Sequence, residues 1–347
     1  MGSLQGRTLS SLAGQPNGFN TIRLLAASAV IFSHAFPLTG MDEPLKRFTG
    51  QATLGDLAVY AFFLISGLLV SASFGRGSLA RYIERRLRRI MPGLIASVAI
   101  SALLFGTFFT TLPISEFIAH PGTLRFLGNA LFLPVGYDLP GVFLNHPMRA
   151  VNGSLWSLKY EMACYVFVPI ALAVAKLRKP AVIAAWLASF VIVRAIPDGA
   201  EGIYYLIDLT ADLFRFYGTG MLLHLYADRV MIRRDWAWIA FAAFLASAFT
   251  PYFEEIAATA GAYALVCFAY LCGERFRDLT ARGDISYGVY VYAFPIQQAL
   301  VPLALGFAQP WLVNALIALP LVAAAGLASW LLVERPALHY GRKPWTR

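Results

Sequence analysis

Long apolar blocks recur along the whole sequence, and each of them runs for about 15 to 23 residues. A helix needs about 20 predominantly apolar residues to cross a lipid bilayer. Charged residues make up only 14% of the chain, whereas soluble domains carry about 25%. That share leaves too little polar surface for two soluble domains, which the length alone would allow. The pattern therefore predicts an all-α integral membrane protein.

The length and hydropathy of the blocks predict about ten transmembrane helices. The fifth and seventh are the weakest of them. The predicted spans cover residues 20–39, 53–74, 90–112, 155–175, 180–197, 203–226, 236–251, 256–273, 284–306 and 311–333.

The orientation of the chain is predicted by the Lys and Arg residues between the spans. With the N-terminus inside, the cytoplasmic segments hold 20 of them and the outer loops hold 5. Cytoplasmic loops of membrane proteins carry this excess of positive charge. We therefore expect both termini to be cytoplasmic. The net charge of +9 is explained by topology, so nucleic acid is not expected as a partner.

The domain organisation is predicted to be simple. Residues 1–19 form a short polar cytoplasmic tail without the features of a secretory signal, so the first span is expected to stay in the mature protein. Residues 20–336 form a single transmembrane domain, and residues 337–347 form a second cytoplasmic tail. The three cysteines are too few for a disulfide framework and lack metal-ligand spacing. We expect no metal site.

Two ionisable residues on the first span are candidates for function, because a charge inside a membrane is costly. Arg23 and His34 are 11 residues apart. Helical geometry places them within about 20° of one face and about 16 Å apart along the axis. Histidine changes its charge near neutral pH and so suits a general base. The alternative is a histidine at the outer interface, hydrogen-bonded to a neighbour.

A carboxylate, Glu161, lies near the predicted outer end of the fourth span. We expect it at a similar depth to His34, where it would orient the imidazole or stabilise its charged form. The alternative is a structural ion pair between Lys159 and Glu161. Residues two apart point to different faces of a helix, which weakens this alternative.

Six arginines lie between residues 76 and 89, on the cytoplasmic side of the third span. Arginine binds phosphate in a bidentate manner, so Arg86 and Arg89 are candidates for holding a nucleotide-like donor such as coenzyme A. The alternative is a positive anchor on anionic lipid.

A third polar group lies on the sixth span. Asp208, Asp212 and Arg215 are spaced to share one face of a helix. The spacing favours internal ion pairing, and a proton or substrate path is the alternative.

Six short segments in this order resemble the bacterial acyltransferase-3 family, over the range from Phe19 to Pro336. Each segment alone is weak evidence of family membership, but the six segments in this order make the resemblance strong. They are Phe19-Asn-Thr-Ile-Arg23 with ten residues before His34, Phe62-Phe-Leu-Ile-Ser66-Gly67-Leu, Arg86-x-x-Arg89-Ile-x-Pro92, Trp156-Ser-Leu-x-x-Glu161, Ser286-Tyr-Gly-x-Tyr290 and Glu334-Arg335-Pro336.

One segment departs from the family pattern. Relatives often continue the ninth span with Tyr-x-Tyr-His-Phe-Pro, and here Ala293 takes the place of the histidine. No catalytic role is therefore expected of this segment.

The resemblance implies a membrane-bound O-acyltransferase in the bacterial cytoplasmic (inner) membrane. The donor would be an acyl-coenzyme A, commonly acetyl-CoA, with no permanently bound cofactor. The acceptor would be a hydroxyl of a saccharide, such as exopolysaccharide, O-antigen, a lipo-oligosaccharide or a glycosylated small molecule. Beside membrane lipids, these are the expected partners.

With the predicted positions of the charged residues, the resemblance leads to a mechanistic hypothesis that gives each of them a role. His34 would be the general base, with Glu161 supporting it. Arg23 would line the donor channel, and Arg86 and Arg89 would bind the donor phosphates. A transporter or flippase of a lipid-linked saccharide and a structural subunit of an assembly complex are the alternatives.

Overall fold

A computed structural model describes residues 6–74, 77–133, 136–173, 177–197, 199–273 and 283–339. The described chain is mostly helical. The helices in chain order are α1 (Phe19–Leu38), α2 (Pro44–Thr49), α3 (Leu54–Phe74), α4 (Leu79–Ile100), α5 (Thr107–Phe109), α6 (Ile114–Ala119), α7 (Pro121–Leu127), α8 (Leu158–Leu172), α9 (Arg178–Ala195), α10 (Gly202–Leu225), α11 (Arg234–Ser247), α12 (Phe253–Ile256), α13 (Ala262–Leu271), α14 (Ser286–Ala304), α15 (Pro310–Ser329) and α16 (Arg335–His339).

Shorter segments extend or connect these helices. Three π-helical segments join α4 to α5, α12 to α13 and α15 to α16, so each pair forms one longer helix. Two strands, β1 (Arg7–Thr8) and β2 (Met231–Ile232), pair antiparallel. The π-helical segments are Ser101–Gly106, Ala257–Gly261 and Trp330–Glu334, and the 3₁₀ turns are Ser10–Leu12, Gly128–Leu131 and Gly153–Ser157.

Six helices of the described chain are long and apolar enough to cross a membrane. This confirms the expectation of a helical, multi-pass membrane protein. A helix also lies in each of the ten predicted segments, while the count of ten crossings stays a prediction. The six are Phe19–Leu38, Leu54–Phe74, Leu79–Phe109, Gly153–Leu172, Phe253–Leu271 and Pro310–His339.

Charge and length explain why other helices fall outside this set. Helix α11 has only 14 residues, less than the bilayer thickness requires. Helix α10 carries Asp208, Asp212 and Arg215 within its length, which lowers its hydropathy.

The chain divides into two compact units. The first unit comprises Met1–Ala26, Pro44–Leu79 and Tyr160–Arg282. The second unit comprises Ala27–Glu43, Ala80–Lys159 and Gly283–Arg347. Helix α1 contributes its first part to the first unit and its second part to the second unit.

Close contact between α3 and α10 is the main packing feature of the first unit. Gly67 lies against the backbone of Tyr217, and a Cβ atom at residue 67 would collide with the Tyr217 carbonyl oxygen. Gly220 lies equally close to the backbone of α3 at Leu64. Small residues at such contacts let two membrane helices approach each other closely.

The second unit is organised around α14. On one side Gly288 lies against Gly326 of α15. Farther along, Gln297 Nε2 donates to Asn314 Oδ1 at 2.9 Å, and Asn314 Nδ2 donates to the Gln297 carbonyl oxygen at 2.9 Å. Tyr287 donates to the carbonyl oxygen of Ile90 on α4 at 2.9 Å. These buried polar contacts fix α14 against its neighbours.

Candidate functional site

His34 lies on the part of α1 that belongs to the second unit, and its side chain contacts α14. The ring meets the ring of Phe294 edge to face, with centroids 5.1 Å apart. One turn earlier on α1, the Ile31 carbonyl oxygen accepts a hydrogen bond of 2.8 Å from Gln297 Nε2. Phe294 and Gln297 are three residues apart on α14, so one face of α14 serves both contacts.

The Nδ1 atom of His34 is buried, and among the described residues it has no hydrogen-bond partner. The histidine as a whole is half-buried. The expected alternative, a histidine hydrogen-bonded to a neighbour, therefore finds no support at this nitrogen. A nitrogen without an internal partner is suited to take a proton from a bound substrate.

Phe294 is also in contact with the segment that precedes α8. A Cβ atom at Gly153 would lie 2.6 Å from a ring carbon of Phe294, so only glycine fits here. The preceding residue, Asn152, is fully buried and donates to the Val291 carbonyl oxygen at 3.0 Å. The Gly153 segment is thus held against α14 beside His34.

Arg23 and Glu161 meet one face of α3 in the first unit. The Arg23 guanidinium lies 5.7 Å from the ring centroid of Phe62. Glu161 Oε1 accepts hydrogen bonds from Ser66 at 3.0 Å and from Tyr165 at 2.6 Å. Phe62 and Ser66 are four residues apart, so they are neighbours on the surface of α3.

Glu161 and His34 belong to different units of the chain. Their predicted pairing therefore stays a prediction. Within the first unit, Ser66 and Tyr165 donate hydrogen bonds to Glu161, and the spacing of charged residues in the sequence did not indicate these partners. Ser66 comes from the second of the six short segments and Glu161 from the fourth, so two distant segments contribute to one group.

Arg89 is held by two carboxylates in the second unit. It contacts Asp284 at 2.6 Å and Glu334 at 3.8 Å, and its side chain is 16% exposed. Its guanidinium also lies 5.9 Å from the ring centroid of Tyr287. Ser329 donates to Glu334 at 2.9 Å. Three of the short segments, far apart in sequence, meet at this ion-pair group.

Arg86 lies one turn before Arg89 on α4 and is half-buried. Its guanidinium lies 6.0 Å from the ring centroid of Tyr82. On the same helix Arg88 forms an exposed ion pair of 2.7 Å with Glu84. Both arginines predicted to bind phosphate thus have neighbours within the chain, two carboxylates for Arg89 and an aromatic ring for Arg86.

A buried charge cluster lies in the first unit at Arg215, whose side chain is 1% exposed. Arg215 forms an ion pair with Asp212 and a second one, at 2.8 Å, with Glu254. The predicted ion pair on this helix face is therefore confirmed for Asp212 and Arg215. Trp186 donates to the Arg215 carbonyl oxygen at 3.1 Å, which ties α9 to the cluster.

Tyr60 and the Glu254-Glu255 pair belong to the same cluster, and the pattern of charges on α10 did not reveal them. Tyr60 donates to Asp212 at 2.8 Å. Glu255 contacts Arg194 at 2.6 Å and Arg215 at 3.9 Å. The available signal was the adjacent pair of glutamates at the start of an apolar block.

Two cavities of the first unit differ in character. One of about 340 Å³ is almost wholly apolar and includes Tyr60 in its wall. The other, of about 530 Å³, has polar residues in its wall, among them Asn17, Ser73, His224 and Asp228. In the part of the chain that the structure describes, no group of three or more His, Cys, Asp or Glu residues could hold a metal ion.

Comparison with known proteins gives matches over almost the whole chain. A family model described as an acyltransferase domain matches residues 17–334. An O-acetyl transferase of Shigella phage Sf6 is 32% identical over 330 residues, which cover 92% of this chain and 95% of the relative. Nodulation protein 10 of Rhizobium leguminosarum bv. viciae is 27% identical over 352 residues, 94% of each chain. No solved structure matches.

Proposed function

This chain belongs to the acyltransferase-3 family and is an O-acyltransferase, and from that premise we propose that it transfers an acetyl group from acetyl-CoA to a saccharide hydroxyl. The observation that supports acetyl as the group is the relative named O-acetyl transferase, which matches 92% of this chain. The family resemblance supports a saccharide as the acceptor. An enzyme of this class needs a donor and an acceptor, which distinguishes it from a flippase or a structural subunit.

The proposed topology has ten crossings with both termini in the cytoplasm of a bacterium, and the protein lies in the cytoplasmic membrane. The excess of Lys and Arg on one side of the chain, 20 against 5, supports this orientation. The donor would then approach from the cytoplasm, where the arginine-rich start of α4 lies. The acceptor would enter from the outer side.

His34 is the proposed general base. It takes the proton of the acceptor hydroxyl, whose oxygen attacks the carbonyl carbon of the thioester. The carbon–sulfur bond then breaks, and the proton passes to the sulfur of the departing coenzyme A. The buried Nδ1 atom has no hydrogen-bond partner among the described residues, which supports this role because one ring nitrogen is left for the substrate.

Arg86 and Arg89 are the proposed phosphate ligands of the donor. The ion pairs of Arg89 with Asp284 and Glu334 would also position this part of α4. Arg23 is proposed to line the donor channel, and Glu161 to support the charged imidazole of His34.

The test of this proposal is transfer of labelled acetyl from acetyl-CoA to cell-surface carbohydrate in membranes. Wild type is compared with His34→Ala at equal expression and equal thermal stability. His339→Ala is the matched control, because that histidine is exposed near the end of the described chain. Label with wild type and the control, and its loss with His34→Ala, is the expected result. Equal label from all three would exclude His34 as the base.

A second arm separates direct attack from an acyl-histidine intermediate. The membranes are incubated with labelled acetyl-CoA without acceptor, and the donor is then removed. Direct attack predicts no label on the protein. Label that stays on wild type and is absent from His34→Ala would contradict direct attack and establish the covalent route.

A further inference from the structure

Four buried polar atoms of the second unit lie in the segments around His34 and have no hydrogen-bond partner among the described residues. More than about 90% of buried polar groups in proteins are hydrogen-bonded, so several exceptions in one region require an explanation. A ligand whose own polar atoms complete these bonds is such an explanation. The four atoms are His34 Nδ1, Asn152 Oδ1, Ser154 Oγ and Gln297 Oε1.

The Gln297 amide is hydrogen-bonded to α1 one turn before His34. Its Nε2 donates to the Ile31 carbonyl oxygen at 2.8 Å and to Asn314 Oδ1 at 2.9 Å. A carbonyl oxygen can accept only from the nitrogen, so these bonds fix which end of the amide is which. The side chain is fully buried, and its Oε1 remains as an acceptor.

Ser154 reaches the same region through Phe294. The Phe294 ring meets the His34 ring on one side and Gly153 on another. Ser154 follows Gly153 directly and is fully buried. The Phe294 ring thus links the segment that carries Ser154 to His34, and the Ser154 hydroxyl has no hydrogen-bond partner in the described part of the chain.

The four atoms differ in what they can offer to a ligand. Asn152 and Gln297 can offer a ligand only their oxygens, which are acceptors, because their nitrogens already donate to carbonyl oxygens of the protein. His34 is the proposed base. The Ser154 hydroxyl is the atom of this set that can donate a hydrogen bond to an oxygen of the ligand.

We propose that Ser154 donates a hydrogen bond to the thioester carbonyl oxygen of the donor at His34, as negative charge develops on that oxygen. This inference rests on the proposed function, which supplies the thioester and the base. The Gln297 and Asn152 oxygens accept from hydroxyl groups of the acceptor. Ser154 is thus a catalytic residue that none of the recognised motifs contains.

The position of Ser154 within its helix favours this role. It lies in the first turn of the continuous helical segment Gly153–Leu172. The N-terminus of a helix carries partial positive charge, which stabilises an anion close to it. An oxygen that gains charge during the reaction is therefore stabilised by the hydroxyl and by the helix end together.

The test compares Ser154→Ala with Ser97→Ala. Both serines are fully buried, but the Ser97 hydroxyl donates to the Val291 carbonyl oxygen at 3.0 Å. Acetyl transfer from acetyl-CoA in membranes gives kcat and KM, and heating in detergent gives thermal stability. Loss of one such donor lowers kcat by about 10²- to 10³-fold in enzymes that stabilise an oxyanion, so we expect about a 10²-fold loss for Ser154→Ala with little change in KM.

Thermal stability provides a readout that is independent of activity. Ser154→Ala removes a hydroxyl that has no hydrogen-bond partner among the residues the structure describes, so its Tm should equal or exceed that of wild type. Ser97→Ala breaks a buried hydrogen bond and removes an acceptor of Asn152 Nδ2, so its Tm should fall, while its kcat should fall far less than that of Ser154→Ala. A large loss of kcat without a fall in Tm for Ser154→Ala, beside a fall in Tm for Ser97→Ala, is the result expected if the Ser154 hydroxyl binds the substrate.

Three results would overturn the inference. A Ser154→Ala variant with wild-type kcat would show that the hydroxyl does not touch the reacting group. A lowered Tm with unchanged kcat would show that it binds a structural water only. A wild type that transfers no acetyl at all would instead reject the proposed function, and this inference with it.

Discussion

Ser66 on α3 donates a hydrogen bond of 3.0 Å to Oε1 of Glu161 on α8. The same oxygen accepts from Tyr165 at 2.6 Å. Two donors on one carboxylate oxygen restrict the orientation of the carboxylate. Glu161 is therefore held by its surroundings before any substrate binds.

Ser66→Ala should lower the rate of acetyl transfer, because Glu161 loses one of the two bonds that orient it. A hydrogen bond to a charged group contributes about 1.5–3 kcal/mol, so we expect a loss of about tenfold or more. Glu161→Gln should lower the rate at least as far. The measurement is the initial rate in membranes at equal expression. Inactive Glu161→Gln beside fully active Ser66→Ala would show that Ser66 does not orient the carboxylate.

Arg215→Leu should destabilise the protein strongly, because Asp212 and Glu254 would remain buried without their cation. Breaking a buried pair in this way costs about 3–5 kcal/mol. Arg194→Gln is the control, since the Arg194 side chain is 51% exposed and an exposed pair contributes about 0–1 kcal/mol. Thermal unfolding in detergent should show a large fall in Tm for the first variant and a small one for the second.

The reverse order of these two Tm values would contradict the structural role of the cluster. A double variant, Arg215→Leu with Asp212→Leu, sharpens the comparison. Removing both charges leaves one fewer unpaired carboxylate, so its Tm should lie above that of Arg215→Leu alone.

The helices were predictable from sequence because bilayer thickness sets their length. Each of the ten apolar segments contains a helix. The predicted and observed helix boundaries differ most where a helix continues beyond its apolar block. Helix α4 begins at Leu79, well before the predicted start at residue 90, because arginines are good helix formers and keep their charge outside the bilayer.

The site was predictable only in part. Spacing within one helix shows that Arg23 and His34 share a face, and that Asp212 and Arg215 can pair. It does not show which residue of another helix lies opposite. The contact between His34 and Phe294 and the ion pair between Arg89 and Asp284 join segments about 200 or more residues apart.

The expectation that the Ala293 segment has no catalytic role was drawn from the missing histidine alone. Ala293 itself is fully buried. Its neighbour Phe294 meets the ring of His34, and Gln297 one turn on bonds to α1. The missing histidine at residue 293 therefore did not indicate the contacts of Phe294 and Gln297, which depend on the packing of α14.

Arg86→Gln and Arg89→Gln test whether each arginine binds the donor or stabilises the folded protein. Arg89→Gln removes the cation that contacts Asp284 and Glu334, so we expect a lower Tm by analogy with other partly buried pairs. Arg86→Gln should weaken the protection that coenzyme A gives against heating, measured as the rise in Tm above that of the same variant without coenzyme A. Thermal unfolding with and without coenzyme A measures both effects. Full protection of Arg86→Gln by coenzyme A would exclude Arg86 as a phosphate ligand.

Gly153→Ala should lower activity through Phe294. The new Cβ atom would lie 2.6 Å from a ring carbon of Phe294, so the ring must shift, and the His34 ring that rests against it must shift too. A displacement of about 1 Å at a reacting group can cost about 10²-fold in rate. Gly306→Ala is the control, because its Cβ atom would meet only the Leu303 carbonyl oxygen at 3.4 Å.

Phe294→Leu in the Gly153→Ala background tests the cause. A smaller side chain at residue 294 removes the collision, so the double variant should regain part of the lost rate. Initial rates of acetyl transfer and Tm values are measured for both single variants and the double variant. If Phe294→Leu lowers the rate by the same factor with glycine or alanine at residue 153, the two residues act independently, and the Phe294 ring does not transmit the change to His34.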